Sequence, residues 1–406
     1  MTSESTTAFA WIWLPEATGP VVCGRVDDDG GRISFTYARS FRERPEAVPV
    51  YDQELPLKAG PQFAVSGFGL PLCLDDAVPD SWGRRIINHR LGAPTGEFSD
   101  LTYLLESGSD RIGALDFQGS ATDYQARSTN HPSLDDLATA AQRIEAGEPL
   151  NAALEAALLH GTSIGGARPK ALLADGGRHL IAKFSSSTDS FPVVQGEFIA
   201  MDLARRVGLN VAPVELARAV GRYTLLVERF DRDGAGRRRR MVSALTMLGL
   251  MTFPEGRYAT YVDFAHKIRE LCVDPDATLR ELYARIAFNM LCGNTDDHGR
   301  NHACLIGPAG LALSPAYDIC PQARTGRDAL QAMAFAADGG RVAHVGALVA
   351  AAAVYHLDSV DAQAIVDHQV AVIRDAWSEV CDAAELTGSQ RAAFMQRQFL
   401  NPGVFD

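Results

Sequence analysis

Residues 293–302 read GNTDDHGRNH, directly after the apolar run IAFNMLC at 286–292. Two adjacent acids, two histidines, an arginine and two asparagines crowd into ten positions. A metal cluster, a phosphoryl-transfer loop or a solvated turn would each place polar groups there. As metal ligands, His298 and His302 have the four-residue spacing that puts two imidazoles on one helix face. Gly299 lies between them, however, and Asn-Thr-Asp-Asp is turn chemistry, so without a helix the spacing loses its meaning. Phosphoryl transfer asks for a carboxylate to accept the hydroxyl proton, oxygen donors for magnesium, and a lysine on the nucleotide phosphates. Asp296 followed five residues later by Asn301 has the spacing of a kinase catalytic loop, where the acid is the base and the asparagine binds metal. Asp318, in SPAYDICP, follows the strand-like pieces ACLI and LAL and stands where a second metal-holding carboxylate belongs.

The other parts lie upstream in the order such an enzyme needs. GTSIGGARPK at 161–170 is a glycine-rich loop able to lay backbone N–H groups over phosphates; no GK[ST] closes it, so it is not a Walker A loop. Lys183 lies on the strand-like HLIAKF, and Glu197 follows at the start of the next helix, the positions of a phosphate-binding lysine and its orienting carboxylate. LLVERFDR at 225–232 then joins the two halves as a hinge whose backbone would read adenine. Each piece alone is weak; five in the right order are not a coincidence.

The bulk numbers agree. The chain has 406 residues, 47% hydrophobic and 22% charged, which is enough for two or three domains or lobes. A net charge of −12 excludes polyanion binding by bulk electrostatics. The one basic run, Arg237–Arg240, reads as a solvated loop. Seven scattered cysteines without a CxxC exclude a disulfide framework and a zinc ribbon, and fit a reducing cytoplasm. The N-terminus has no secretory pattern. VGALVAAAAVYHL at 345–357 is too short to span a bilayer and reads as a buried helix, so a soluble, cytoplasmic protein without membrane contact is expected.

Short β-branched runs broken by DDDGG and Pro/Gly pairs make the first hundred residues β-rich, whereas 241–406 reads as almost wholly helical. The expected class is α+β, two-lobed and protein-kinase-like. Its expected segments are an N-terminal subdomain at 1–105, a nucleotide-binding part at 106–235 and a helical catalytic lobe at 236–406.

TSIGGARPKALL, IAKF, VERFDR, NTDDHGRNH and AYDICP together resemble the HipA family of bacterial serine/threonine protein kinases, the toxins of HipBA-type toxin–antitoxin modules. LPLCLDDAVPDSWGRRII and DRIGALDF are similar to the family's N-terminal blocks. The resemblance implies ATP and Mg2+ as cofactors, Asp296 as catalytic base, and Asn301 and Asp318 as magnesium ligands. It implies ATP contacts from Lys183, Lys170, Gly165, Gly166, Ala167, Glu228 and Phe230, with Asp231 on the ribose. Glu197, His298 and Arg300 would support the site. Ser163 falls at the family's autophosphorylated serine, with Thr162 the neighbouring acceptor; a phosphate there adds about two negative charges and would switch ATP binding off. The implied substrate is an aminoacyl-tRNA synthetase of the glutamyl-tRNA synthetase kind. The implied partner is a helix-turn-helix, HipB-like antitoxin that carries the contact with operator DNA. Arg168-Pro169-Lys170 departs from the family's Gln-x-Lys, and Arg300 stands where lysine is common. Two other classes stay open: a small-molecule kinase, and a pseudokinase-like binding and co-repressor module.

Overall fold

The computed structural model describes residues 5–64, 69–93, 97–127, 132–151, 154, 168–251, 255–324 and 326–406. The chain forms two compact units. The first comprises Met1–Ser186, Arg218–Thr224 and Glu228–Val242, and the second Ser187–Ala217, Leu225–Val227 and Ser243–Asp406.

In the first unit, β1 (Thr7–Trp13), β2 (Pro20–Asp29), β3 (Arg32–Tyr37), β4 (Gln62–Phe63) and β5 (Leu115–Gln118) make one sheet ordered β4-β3-β2-β1-β5. DDDGG becomes the turn between β2 and β3: Gly30 and Gly31 both have positive φ, which a two-residue hairpin loop of matching twist requires. Ile33, Phe35 and Tyr37 alternate inward along β3. Helix α1 (Ser81–Arg90) starts where the Asp80 carboxylate accepts from the N–H groups of Trp82 and Gly83. It buries Trp82, Ile86 and Ile87. A further helix, α2 (Asp100–Glu106), precedes β5. Because β5 pairs with β1, a boundary at 105 would cut through this sheet; the expected segments 1–105 and 106–235 are not separate compact units. After α3 (Leu134–Ala146), β6 (Lys170–Asp175) and β7 (Arg178–Phe184) form an antiparallel hairpin. Strands β8 (Val214–Ala219) and β9 (Arg222–Glu228) follow α4 (Val193–Arg206) in sequence.

The Arg237–Arg240 run is not a solvated basic patch. Arg237 pairs with Glu16 and Asp233, Arg238 lies 3.4 Å over the Trp13 ring and donates to the Ser109 carbonyl, and Arg240 donates to the Pro49 carbonyl. Three of the four guanidinium groups thus have acceptors within the chain, while Arg239 is exposed.

The second unit is built around α6 (Pro275–Cys292), with α5 (Tyr261–Leu271) and α7 (Ser359–Ala383) packed on it. Asp274 caps α6 by accepting from Ala277 N–H, and Pro275 occupies the first helical position, where a missing N–H costs nothing. From Arg285 to Cys292 every side chain is buried. Fully buried apolar groups such as Leu282, Ile286, Phe288 and Leu291 contribute roughly 1.5–3 kcal/mol each before entropy is counted. Gly293 ends the helix in the left-handed conformation at φ 73°. A Cβ there would meet the Gln398 carbonyl at 2.8 Å.

The stretch from 241 onward is less helical than its composition implies. It holds β10 (Met241–Ser243) and the hairpin of β11 (Ala303–Gly307) with β12 (Gly310–Leu313). In SALTMLGLM only Ala244–Met247 is helical, because Gly249 turns the chain at φ 71°. The run at 345–357 splits into the helix Val345–Ala350 and a 3-10 turn Ala352–Tyr355, ended by His356 at positive φ. No helix among the described residues is long and apolar enough to cross a membrane.

Candidate active site

The loop after α6 leaves the helix at Gly293 and alternates outward and inward. Asp296 and His298 are exposed, whereas Asp297 and Gly299 are buried. The two adjacent acids therefore have different surroundings and different roles.

Asp297 is the anchor. Its Oδ2 accepts from Asn289 Nδ2 at 2.7 Å, from His302 Nε2 at 2.7 Å, and from the Tyr261 hydroxyl. Asn294 Nδ2 in turn donates to Asn289 Oδ1 at 3.0 Å, which orients that amide. Burial alone would raise the Asp297 pKa, but the His302 imidazole and the hydrogen bonds from His302 and Tyr261 overcome it and hold the carboxyl below its ordinary value. Three donors from α5, α6 and the strand entrance thus converge on one carboxylate and fix the loop.

Asp296 faces outward on that fixed loop. Partial burial raises its pKa, and the nearby carboxylates of Asp318 and Asp297 raise it further, while His298 opposes them. A carboxylate raised in this way is a better proton acceptor than an ordinary aspartate. The Asp296 backbone carbonyl accepts from Asn301 Nδ2 at 3.3 Å. With Nδ2 given to that carbonyl, Oδ1 is the end of the Asn301 amide able to offer an oxygen. Asp318 sits in the left-handed region at φ 59°, an unfavourable conformation that aspartate tolerates better than most residues. Beside it the Tyr317 hydroxyl donates to the Arg300 carbonyl at 2.7 Å, and Ala316 bonds to Asn210 and Ala212. Asp296, Arg300, Asn301 and Asp318 are thereby brought together within the second unit. Asn301 and Asp318 offer a hard oxygen donor set of the kind magnesium takes.

His298 and His302 do not converge as metal ligands. One is exposed, and the other spends its Nε2 on Asp297. Among the described residues no group of three or more His, Cys, Asp or Glu side chains could hold a metal ion.

In the first unit, Lys183 on β7 lies directly opposite Lys170 on β6. Cross-strand partners project from the same face of a hairpin, so the two lysine side chains share one face. The Lys170 carbonyl accepts from Trp82 Nε1 at 3.0 Å, which ties this strand to α1. Glu228 and Phe230 are half-buried at the end of β9, where Arg229 N–H donates to the His179 carbonyl of β7. Glu197 is buried on α4 and belongs to the second unit. Ser163, Thr162, Gly165, Gly166 and Ala167 lie outside the described residues.

Asp231 requires a correction. It is buried, and its carboxylate accepts from Gly113 N–H at 2.7 Å, from Arg229 at 2.8 and 3.0 Å and from Arg232 at 2.8 Å. Burial opposes its ionisation, but the two guanidinium groups prevail and hold its pKa down at about 2. Asp110 completes the cluster by pairing with Arg229 and Arg232. Asp231 is consumed in holding the segment after β9 and is not available to a ribose. Alternation of charge in VERFDRD was the only signal of this cluster in the sequence.

The description "HipA-like C-terminal domain" matches residues 162–377, and "HipA N-terminal domain" matches residues 18–118. The putative kinase Y4mE of Sinorhizobium fredii is 29% identical over 337 residues, covering 74% of this chain and 75% of the relative. The serine/threonine-protein kinase toxin HipA of Shewanella oneidensis is 34% identical over 146 residues, 31% of this chain and 34% of that protein. A chain from the solved complex of HipA, HipB and operator DNA of Shewanella oneidensis MR-1 matches with a TM-score of 0.67 and 22% identity, covering 92% of each chain. That likeness shows the fold, and the expected α+β, kinase-like class holds.

Proposed function

The chain belongs to the HipA family, and from that premise we propose that it is an ATP- and magnesium-dependent serine/threonine protein kinase acting as the toxin of a toxin–antitoxin pair. The observation that carries this reading is the outward Asp296 on an anchored loop beside Asn301 and Asp318. Asp296 takes the proton of the acceptor hydroxyl as that oxygen attacks the γ-phosphorus of ATP and ADP leaves. Asn301 Oδ1 and the Asp318 carboxylate are the residues to hold magnesium, which when bound neutralises charge on the phosphates. Lys183 and Lys170 contact the phosphates from the face they share on the β6–β7 hairpin. Glu228 and Phe230 contact adenine at the end of β9, and Glu197, Arg300 and His298 are the supporting residues.

The same reading assigns autophosphorylation to Ser163 or Thr162 and the protein substrate to the aminoacyl-tRNA synthetases, of which the glutamyl type is the first to test. A small HipB-like, DNA-binding antitoxin is the proposed partner, through which operator DNA is reached, and the cytoplasm is the proposed location. Incubation with labelled ATP and magnesium tests the core of it. Wild type should label itself or a protein in cell lysate, and Asp296→Asn should lose at least a hundredfold, the lower end of what general base catalysis contributes. Equal labelling, or none, in both proteins refutes the reading.

A further inference from the structure

The chain at the end of β9 is held from behind by the loop that leads into β5. Along residues 228–231 burial alternates: Glu228 and Phe230 are half-buried, whereas Arg229 and Asp231 are buried. In extended chain that alternation puts Arg229 and Asp231 on one face and Glu228 and Phe230 on the other. The buried face meets residues 110–113. Arg229 Nη1 donates to the Asp110 carbonyl at 3.2 Å and Nη2 to the Arg111 carbonyl at 2.7 Å. Arg232 Nη1 donates to the Gly113 carbonyl at 2.8 Å, and Gly113 N–H returns a bond to Asp231 at 2.7 Å. One carboxylate then joins the two guanidinium groups. Asp110 Oδ1 lies 3.0 Å from Arg229 Nη1 and accepts from Arg232 Nε and Nη2 at 3.1 and 2.9 Å. The Arg229 and Arg232 side chains are 0% and 3% exposed, but that of Asp110 is 34% exposed. Water therefore reaches Asp110, and its charge can be removed while Asp231 still pairs with both guanidinium groups.

We infer that Asp110 is a positioning residue for ATP: by joining Arg229 to Arg232 it holds the Glu228–Phe230 segment in the geometry that receives adenine. The inference rests on the kinase reading above, in which that segment contacts the base. It gives the N-terminal sheet a hold on nucleotide affinity but none on phosphoryl transfer, whose residues Asp296, Asn301 and Asp318 belong to the second unit. Apparent affinity falls with the fraction of molecules whose site is already in its binding geometry. If the segment keeps that geometry for about a third to a tenth of the time without the Asp110 charge, ATP binding weakens about three- to tenfold.

Two variants of the full chain provide the test, read by calorimetric ATP binding and by labelling of the protein itself or of lysate protein across a range of ATP concentrations. Asp110→Asn keeps the size of the side chain and removes its charge. It should raise the Kd and the KM for ATP about three- to tenfold and keep the wild-type kcat at saturating ATP. Arg232→Lys keeps the charge but loses the planar fork that spans Asp110 and Gly113, and should show the same split. It decides the matter if Asp110→Asn does not fold, which melting of the nucleotide-free proteins reveals. A wild-type KM for ATP in a folded variant, or a fall in kcat with KM unmoved, overturns the inference. If wild type binds ATP and labels protein while the folded variants match it, the inference alone fails; if wild type does neither, the kinase reading fails with it.

Discussion

Replacing Asp297 by alanine should unfold the protein more readily, whereas the same change at its neighbour Asp296 should remove activity and leave stability intact. The Asp297 carboxylate takes three buried donors, from Tyr261, Asn289 and His302. A hydrogen bond to a charged group is worth roughly 1.5–3 kcal/mol. The three are not additive, and removing one partner of a buried ionic group costs about 3–5 kcal/mol. For a folding unit of this size each kcal/mol lowers Tm by roughly 2–4 °C, so a fall of about 6–20 °C is expected. The effect should fade in acid. Because the folded-state pKa of Asp297 is depressed, its stabilisation is complete above the unfolded-state value of about 4 and is lost as pH falls through the folded value. The wild-type and Asp297→Ala melting curves should therefore approach each other below about pH 4. Asp296 is exposed and has its pKa raised, so its loss relieves repulsion with Asp318 and should not lower Tm. Thermal melts of the two variants followed by circular dichroism across pH decide the matter. A change in Tm under 2 °C for Asp297→Ala, or a large fall for Asp296→Ala, would refute the division of labour between them.

The raised pKa of Asp296 predicts that the acid limb of kcat/KM lies above the ordinary aspartate range, activity rising with pH as the base ionises. Since His298 opposes that rise, His298→Ala should move the limb to higher pH, and a shift to lower pH would contradict the assignment. Asp231→Ala should cost about 1–3 kcal/mol, because Arg229, Arg232 and the Gly113 N–H lose a buried acceptor while Asp110 still pairs with both guanidinium groups. Urea unfolding measures that cost; unchanged stability with a raised KM for ATP would instead return Asp231 to the nucleotide.

Much of the site was legible because it is local. The spacing from Asp296 to Asn301, the strand carrying Lys183 and the helix ending at Gly293 each depend on residues close in sequence, whose caps, turns and propensities are readable one at a time. The pairing of Lys170 with Lys183 was less visible, because register is set by two strands together. Asp231 was misassigned for a related reason: the partners that occupy it, Gly113 and Asp110 among them, lie more than a hundred residues away. The Arg237–Arg240 run was misread in the same manner, its acceptors being Glu16, Pro49 and Ser109.

By itself the sequence determined the α+β class and the family resemblance, with a polar loop placed directly after a buried helix. Only the tertiary structure decided which of two neighbouring aspartates faces solvent. Composition cannot distinguish Asp296 from Asp297, since both are short acids in one turn. The choice came from packing: α5 and α6 bring a phenol and an amide to the inner position, and His302 joins them from the entrance to β11. A carboxylate is stable in a core only where such donors await it, so one acid was drawn inward and the other was left facing solvent.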